Sequence, residues 1–198
     1  METYPLSFEK KRDEQRFAQA QQDIAELIKK AQAGEIELAY VDESGFEPQP
    51  PNRTAWTKRG ETHAVTATRG QRLNVIGALL SSGKLMTVNL WHTVTGLWFF
   101  AFLMAVAKRV DKPLVVILDN ASIHTAKKYQ PYWDLLTDEG ITLYFLPPYC
   151  PELNRIEILW KKMKYQWLPF KSFTPFELEQ AIDGIQAGFG SEYRLTFC

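Results

Sequence analysis

Cysteine is scarce in this chain. There are two, Cys150 and Cys198, without the spacing of metal ligands, so a thiolate metal site is not expected and a reducing compartment is. Net charge is lacking as well, since 23 Lys and Arg balance 23 Asp and Glu. A module that held nucleic acid by charge alone would be basic, because phosphate neutralisation supplies most non-specific affinity. The balance still permits a nuclease whose acidic metal site offsets basic contact patches. No apolar run is long enough for a membrane span: Leu97 to Ala107 covers 11 residues, where a spanning helix needs about 20. The start, METYPLSFEKKRDEQRF, is too charged for a signal peptide. These absences point to the cytoplasm. There is no internal repeat and no low-complexity segment.

What is present suits one domain with a real core: 198 residues, 45% hydrophobic and 13% aromatic. Residues 8–34 carry Phe17, Ile24, Leu27, Ile28 and Ala31 near helical spacing and predict an amphipathic helix ending at Gly34. Ile36 to Ser44 reads as a strand with Asp42 near its C-terminal end. Residues 46–62, rich in proline, read as a loop. Asn74 to Leu80 and Leu85 to Trp91 predict a hairpin turning at Ser-Ser-Gly-Lys, with HAVTATRG upstream a possible extension. Thr95 to Val110 predicts an apolar helix with Phe99, Phe100 and Phe102 in the core. Pro113 to Asn120 is the clearest buried strand, and it ends in Asp119 and Asn120. A helix over 126–138, a strand at ITLYFLPP, a helix from Glu152 to Gln166 and a last helix from Thr174 towards Ala187 complete the reading. Strands alternating with helices after an initial meander predict an α/β fold, a mixed sheet with helices on its faces. In such sheets sites gather at the carboxyl ends of strands, where Asp42 and Asp119 both fall.

Glu157, on the predicted helix after Pro151, is the third acid singled out by its context. Three carboxylates brought together repel one another and call for protons or a cation. Hard divalent ions such as Mg²⁺ prefer oxygen ligands, and a pair of them suits phosphoryl transfer. Taken singly, an Asp at a strand end is often only a turn former or a helix cap, and surface helices are full of Glu. The joint pattern carries the reading.

The segments YVDESGF, VVILDNASIH and LPPYCPELNRIEILWKKMK closely resemble the DDE-type transposases of bacterial insertion sequences in the Tc/mariner superfamily. The resemblance spans about Glu35 to Phe173, and Glu157 follows Asp119 by 38 positions, close to the spacing in that family. It implies a ribonuclease H-like five-stranded sheet, with an N-terminal helical linker over 1–34, a catalytic domain over 35–173 and a C-terminal helix and tail over 174–198. It also implies that Asp42, Asp119 and Glu157 hold two Mg²⁺ ions, with Mn²⁺ able to substitute, for cleavage of transposon ends and strand transfer into target DNA. TA target sites, a homodimer, a bacterial nucleoid-associated location and a DNA-recognising helix-turn-helix part follow from the same resemblance. About 35 residues before the first strand leave no room for two such domains. The chain is therefore read as one product of a split reading frame, a truncated copy or an excised part, with a separate N-terminal polypeptide as one possible source of end recognition. Cys150 stands where relatives often have Ser, and Arg155 where they often have Pro. Neither departure touches the three acids.

Around these acids, Asn120 and His124 are candidates to steady the metal site or touch the scissile phosphate, and Asn154 to cap or brace the helix of Glu157. Glu43 and Glu152 are expected to face solvent or give electrostatic support, and Trp160 to be core. Arg53, Trp56, Lys58 and Arg59 interleave cations with a ring, as DNA-contacting segments do, although an ordinary solvated loop has the same composition. Arg155, Lys161, Lys162 and Lys164 are candidates for the DNA backbone. Two other readings stay open: a different ribonuclease H-like nuclease, and a catalytically silent remnant serving as a dimerisation or DNA-binding partner.

Overall fold

The computed structural model describes residues 12–51, 58–60, 70–121, 124 and 126–195. Helix α1, Glu14–Gln32, starts where the Asp13 carboxylate accepts from the backbone N–H groups of Gln15 and Arg16. It ends before Gly34, whose φ of 79° only glycine adopts freely. Three antiparallel neighbours follow in sequence: β1 (Glu37–Phe46), β2 (Leu73–Leu80) and β3 (Leu85–Leu90). Apolar α2, Gly96–Ala107, crosses over to β4, Leu114–Leu118, which lies parallel to β1. A 3₁₀ turn at Lys127–Tyr129 leads into α3, Gln130–Asp138, and then β5, Ile141–Phe145. The sheet order is β3-β2-β1-β4-β5, with only β4 and β5 added in parallel. The expected mixed five-stranded sheet is present.

β1 is the central strand, and both of its faces are covered. Leu38, Tyr40 and Phe46 join the core beneath α1 and the C-terminal helices. Ala39 and Val41 join a second core with Phe99, Phe102 and Leu103 of α2 and Trp133 of α3. Its predicted end at Ser44 falls short of the observed one, because Gly45 and Phe46 still pair with Asn74 and Leu73. The possible strand extension through HAVTATRG falls almost wholly outside the described residues.

The single helix predicted from Glu152 to Gln166 is instead three pieces. A 3₁₀ turn at Pro151–Leu153 gives way to an extended Asn154, then α4 (Ile156–Lys162) and a π-helical turn (Met163–Trp167). The break arises because Asn154 leaves helical geometry and its side-chain amide donates to the Val41 carbonyl at 2.9 Å. Periodicity cannot show a tertiary hydrogen bond of this kind.

The last helix, α5 (Pro175–Ala187), begins with a capping box. Glu177 N–H donates to the Thr174 hydroxyl, and the Glu177 carboxylate accepts from the Thr174 N–H at 2.8 Å. That hydrogen bond, with Lys171 at 2.9 Å, holds the Glu177 carboxyl down at about 2. Its contribution is therefore present above the ordinary Glu range and lost as pH falls through about 2. Thr174→Ala should lower stability by about 1 kcal/mol, read as a shift in urea midpoint. An unchanged midpoint would show that packing of Leu178 and Ile182 alone sets the helix start.

Candidate active site

The middle of β1, the end of β4 and the start of α4 meet in one cleft. Asp42, Asp119, Asn120, Asn154 and Glu157 line a cavity of about 280 Å³, closed on one side by Leu146 to Pro151. All three acids singled out in the sequence are thus on one wall system, although 38 residues separate the last two.

Asp42 is the most confined. β1 alternates its side chains, so Asp42 faces the α4 side of the sheet with Tyr40 and Phe46. There its Oδ2 accepts from the Trp160 indole N–H at 3.0 Å. Burial pushes its carboxyl up to about 8, and the charges of Glu157 and Glu43 push in the same direction. Trp160 is only 3% exposed, so it is core as expected, but it also holds an active-site oxygen, which sequence position could not reveal. Its ring fits because Gly77, paired with Asp42 across the sheet, has no side chain. A Cβ there would lie 2.6 Å from the indole.

Asp119 and His124 form a second cluster with Glu43. The His124 imidazole, 1% exposed, places Nδ1 3.1 Å from Asp119 Oδ1 and Nε2 3.1 Å from Glu43 Oε1. Burial alone would lower the imidazole's proton affinity, but the hydrogen bonds to Asp119 and Glu43 outweigh it and raise the value to about 9. The ring is therefore an imidazolium at neutral pH, stacked on Phe99 at 4.3 Å. Chiefly through that hydrogen bond, Asp119 sits below the ordinary carboxylate range, and the Ala121 N–H adds to the effect. Glu43, read from sequence as a peripheral acid, is a partner of this histidine.

Glu157 lies in the first turn of α4, and its own N–H donates to the Asn154 carbonyl at 3.0 Å. Burial raises its carboxyl, Lys164 opposes that shift, and Asp119 adds to it. Asn154 therefore ties the Glu157 turn directly to the strand of Asp42. Its Oδ1 is buried and has no hydrogen-bond partner among the described residues. Asn120 donates its side-chain amide to the Leu146 carbonyl and anchors the 146–151 rim. On that rim Tyr149 adopts φ 62°, a region aromatic residues rarely occupy, and leaves its ring half exposed.

The basic candidates are dispersed. Lys58 and Arg59 are exposed, while Arg53 and Trp56 lie outside the described residues. Lys161 is exposed and Lys162 rests 6.0 Å from the Trp167 ring. Arg155 lies 5.6 Å from the Tyr40 ring and lines a separate cavity of about 630 Å³ with Arg194, away from the acids. Lys164 stacks over Phe46 at 5.4 Å, within electrostatic reach of Asp42 and Glu157. Glu152 is exposed and paired with Arg12 at 2.6 Å.

The donor set is all oxygen: three carboxylates and the unpartnered amide oxygen of Asn154. That chemistry fits a hard divalent cation and no soft one. Among the described residues, no group of three His, Cys, Asp or Glu side chains is arranged to hold an ion as it stands. Asp42 is instead turned to Trp160, and Asp119 to His124 and Ala121.

Comparison with known proteins gives the same picture. A solved chain described as Mos1 transposase paired-end complex with left transposon end matches 98% of this chain with a TM-score of 0.63 at 16% identity. A Mos1 mariner paired-end complex with Mn matches 98% with a TM-score of 0.64 at 13% identity. This chain covers 59% and 60% of those two chains. Identities so low establish the fold, which is the ribonuclease H-like mixed sheet. A protein of Sinorhizobium fredii (strain NBRC 101917 / NGR234), named uncharacterized protein y4pE/y4sA, is 40% identical over 63 residues, 32% of this chain and 42% of that protein. A family model described as DDE superfamily endonuclease matches residues 37–177, from the first strand to the start of the last helix and across all three acids. With most of its length matched in this way, the chain belongs to the DDE superfamily endonucleases.

Proposed function

We propose that this chain is the catalytic domain of a Tc/mariner-type DNA transposase, cutting transposon ends and joining them to target DNA. The observation that carries the reading is the convergence of Asp42, Asp119 and Glu157 on one cavity inside the segment matched by the endonuclease family. The Mos1 structures whose fold it shares are described as transposase complexes with transposon ends, with strand-transfer product and with Mn or Mg.

Asp42 and Asp119 would hold divalent ions from β1 and the end of β4, and Glu157 would complete the set from α4. Two Mg²⁺ ions, or Mn²⁺ in their place, would lower the proton affinity of the attacking oxygen and offset charge on the leaving one. The protein's own part is to keep the carboxylates available. The His124 imidazolium lies 3.1 Å from both the Asp119 and the Glu43 carboxylate and offsets part of the repulsion among these acids. Trp160 orients Asp42, and Asn154 sets the spacing between the Asp42 strand and the Glu157 helix. Because hydroxyl groups of water and of the DNA 3′ end can attack in turn, no protein nucleophile is needed.

DNA ends and target, with TA dinucleotides as the insertion site, are the substrates in this reading. The partners are a second copy of the chain and a helix-turn-helix part that recognises the ends. Among the described residues no helix is long and apolar enough to cross a membrane.

The test is cleavage and joining of labelled transposon-end DNA by wild type and Asp119→Ala, with Mg²⁺ or Mn²⁺ and with the helix-turn-helix part supplied. Metal-dependent products should appear with wild type and vanish in the variant. An inert wild type under those conditions would instead favour the silent remnant.

A further inference from the structure

The sequence has no acidic residue between Glu61 and Asp111, although a ninth of the whole chain is Asp or Glu and that interval holds Arg69, Arg72, Lys84, Lys108 and Arg109. The net neutrality of the molecule therefore hides a segregation of charge. Among the described cations of this interval, Arg72 is the one the fold carries to the active-site end of the sheet. It directly precedes β2, whose first residue, Leu73, pairs with Phe46 at the end of β1.

At Gly45, three residues beyond Asp42, the β1 backbone is bare. A Cβ built there would lie 1.4 Å from Arg72 Nε and 1.9 Å from its Cζ, so the guanidinium occupies the space a side chain would fill. Gly45 is not among the residues with positive φ, so conformation does not demand glycine at this position. Space for the arginine does. Alternation along β1 puts this contact on the Glu43 face, whereas Lys164, over Phe46, stands on the Asp42 face. The two cations thus bracket the end of β1 just past the acid cavity. They are close enough that Arg72, after burial, helps to lower the proton affinity of Lys164. Among the described residues Arg72 forms no ion pair. The carboxylates of Glu157, Asp42 and Glu47 act on Lys164 in the opposite direction.

We propose that Arg72, seated in the Gly45 notch, binds a DNA phosphate within a few nucleotides of the scissile position. The notch fixes the planar guanidinium beside the catalytic strand, where it donates in the paired geometry that phosphate oxygens accept. The assignment rests on the transposase reading above and names one of the contacts by which that site would hold its substrate.

Two variants test it, with a fluorescein-labelled 20-base-pair duplex of unrelated sequence, Ca²⁺ in place of Mg²⁺, and anisotropy measured across a salt series. Arg72→Gln should weaken binding about tenfold at low salt and reduce the slope of log K against log salt by about 1. Gly45→Ala keeps the charge but displaces the flexible guanidinium, so it should weaken binding several-fold with a smaller change in slope. Circular dichroism melting of both variants near the wild-type temperature ensures that folding is not being read. Wild-type affinity and slope in Arg72→Gln would overturn the assignment. Wild-type affinity in Gly45→Ala would overturn the role of the notch. A wild type that cleaves DNA while Arg72→Gln binds unchanged leaves the transposase reading standing without this contact. A wild type that neither binds nor cleaves removes both.

Discussion

Asp42→Asn should melt at a higher temperature than wild type in EDTA at pH 8, and yet lose about three orders of magnitude of metal-dependent cleavage. The two effects have one origin. The Asp42 carboxyl goes from the ordinary value of 3.8 in the unfolded chain to about 8 in the fold, because it is buried and the charges of Glu157 and Glu43 push the same way. A carboxyl with a raised folded value contributes stability that is complete below about 4 and is lost as pH rises through about 8. At alkaline pH the cost has an upper bound of about 6 kcal/mol, and Asn, of the same shape but never charged, does not incur it. Asn can still accept the Trp160 N–H through its amide oxygen.

The metal-free wild type should therefore lose stability between pH 4 and pH 8 more steeply than the variant. Thermal melts across that range check this directly. Added Mn²⁺ should raise the wild-type melting temperature, because binding to the folded state alone stabilises it, and should raise that of Asp42→Asn much less. The loss of activity follows because a neutral amide is a poor ligand for a hard cation, and three orders of magnitude correspond to about 4 kcal/mol of transition-state stabilisation. Parallel pH–stability curves for the two proteins would sink the electrostatic account of this aspartate.

Trp160→Ala should be the most damaging change outside the acids. The indole is buried at the junction of α4, β1 and β2, edge-on to Phe46 at 6.2 Å and seated in the space at Gly77. Truncating a buried Trp costs about 3–5 kcal/mol, which is a large share of the roughly 5–15 kcal/mol that keeps a domain folded. The variant should be recovered mostly unfolded or aggregated. Trp160→Phe separates packing from orientation. It keeps an aromatic ring in the site, should lower stability by about 1–3 kcal/mol, and removes the N–H that holds Asp42 Oδ2. A folded Trp160→Phe protein should cleave about tenfold more slowly and need more Mn²⁺ for half-maximal rate, because Asp42 is no longer aimed. Wild-type kinetics in that variant, with urea unfolding confirming its fold, would reduce Trp160 to a packing residue.

The sequence by itself determined the elements that local chemistry controls. Five strands, the apolar α2 and the last capped helix are legible because burial imposes a period of two or 3.6 on apolar residues and because caps and turns use few residue types. Asp42 and Asp119 were legible as acids ending apolar strands, and Glu157 by its place in a specific motif.

Contacts that reach across strands and helices depend on how the folded chain brings distant residues together. Asn154 breaks the predicted helix because its partner, the Val41 carbonyl, is 113 positions away. Trp160 serves Asp42 across 118 positions, and His124 joins Glu43 to Asp119 across 81. Arg155 lies within the motif, yet it stands by Tyr40 at another cavity, while Arg72, which no motif marks, is brought beside the site by the register of β1 and β2. Hydrophobic periodicity records which face of an element is buried. The identity of the partner on that face depends on sheet order, register and crossover, and these come from packing the whole chain at once.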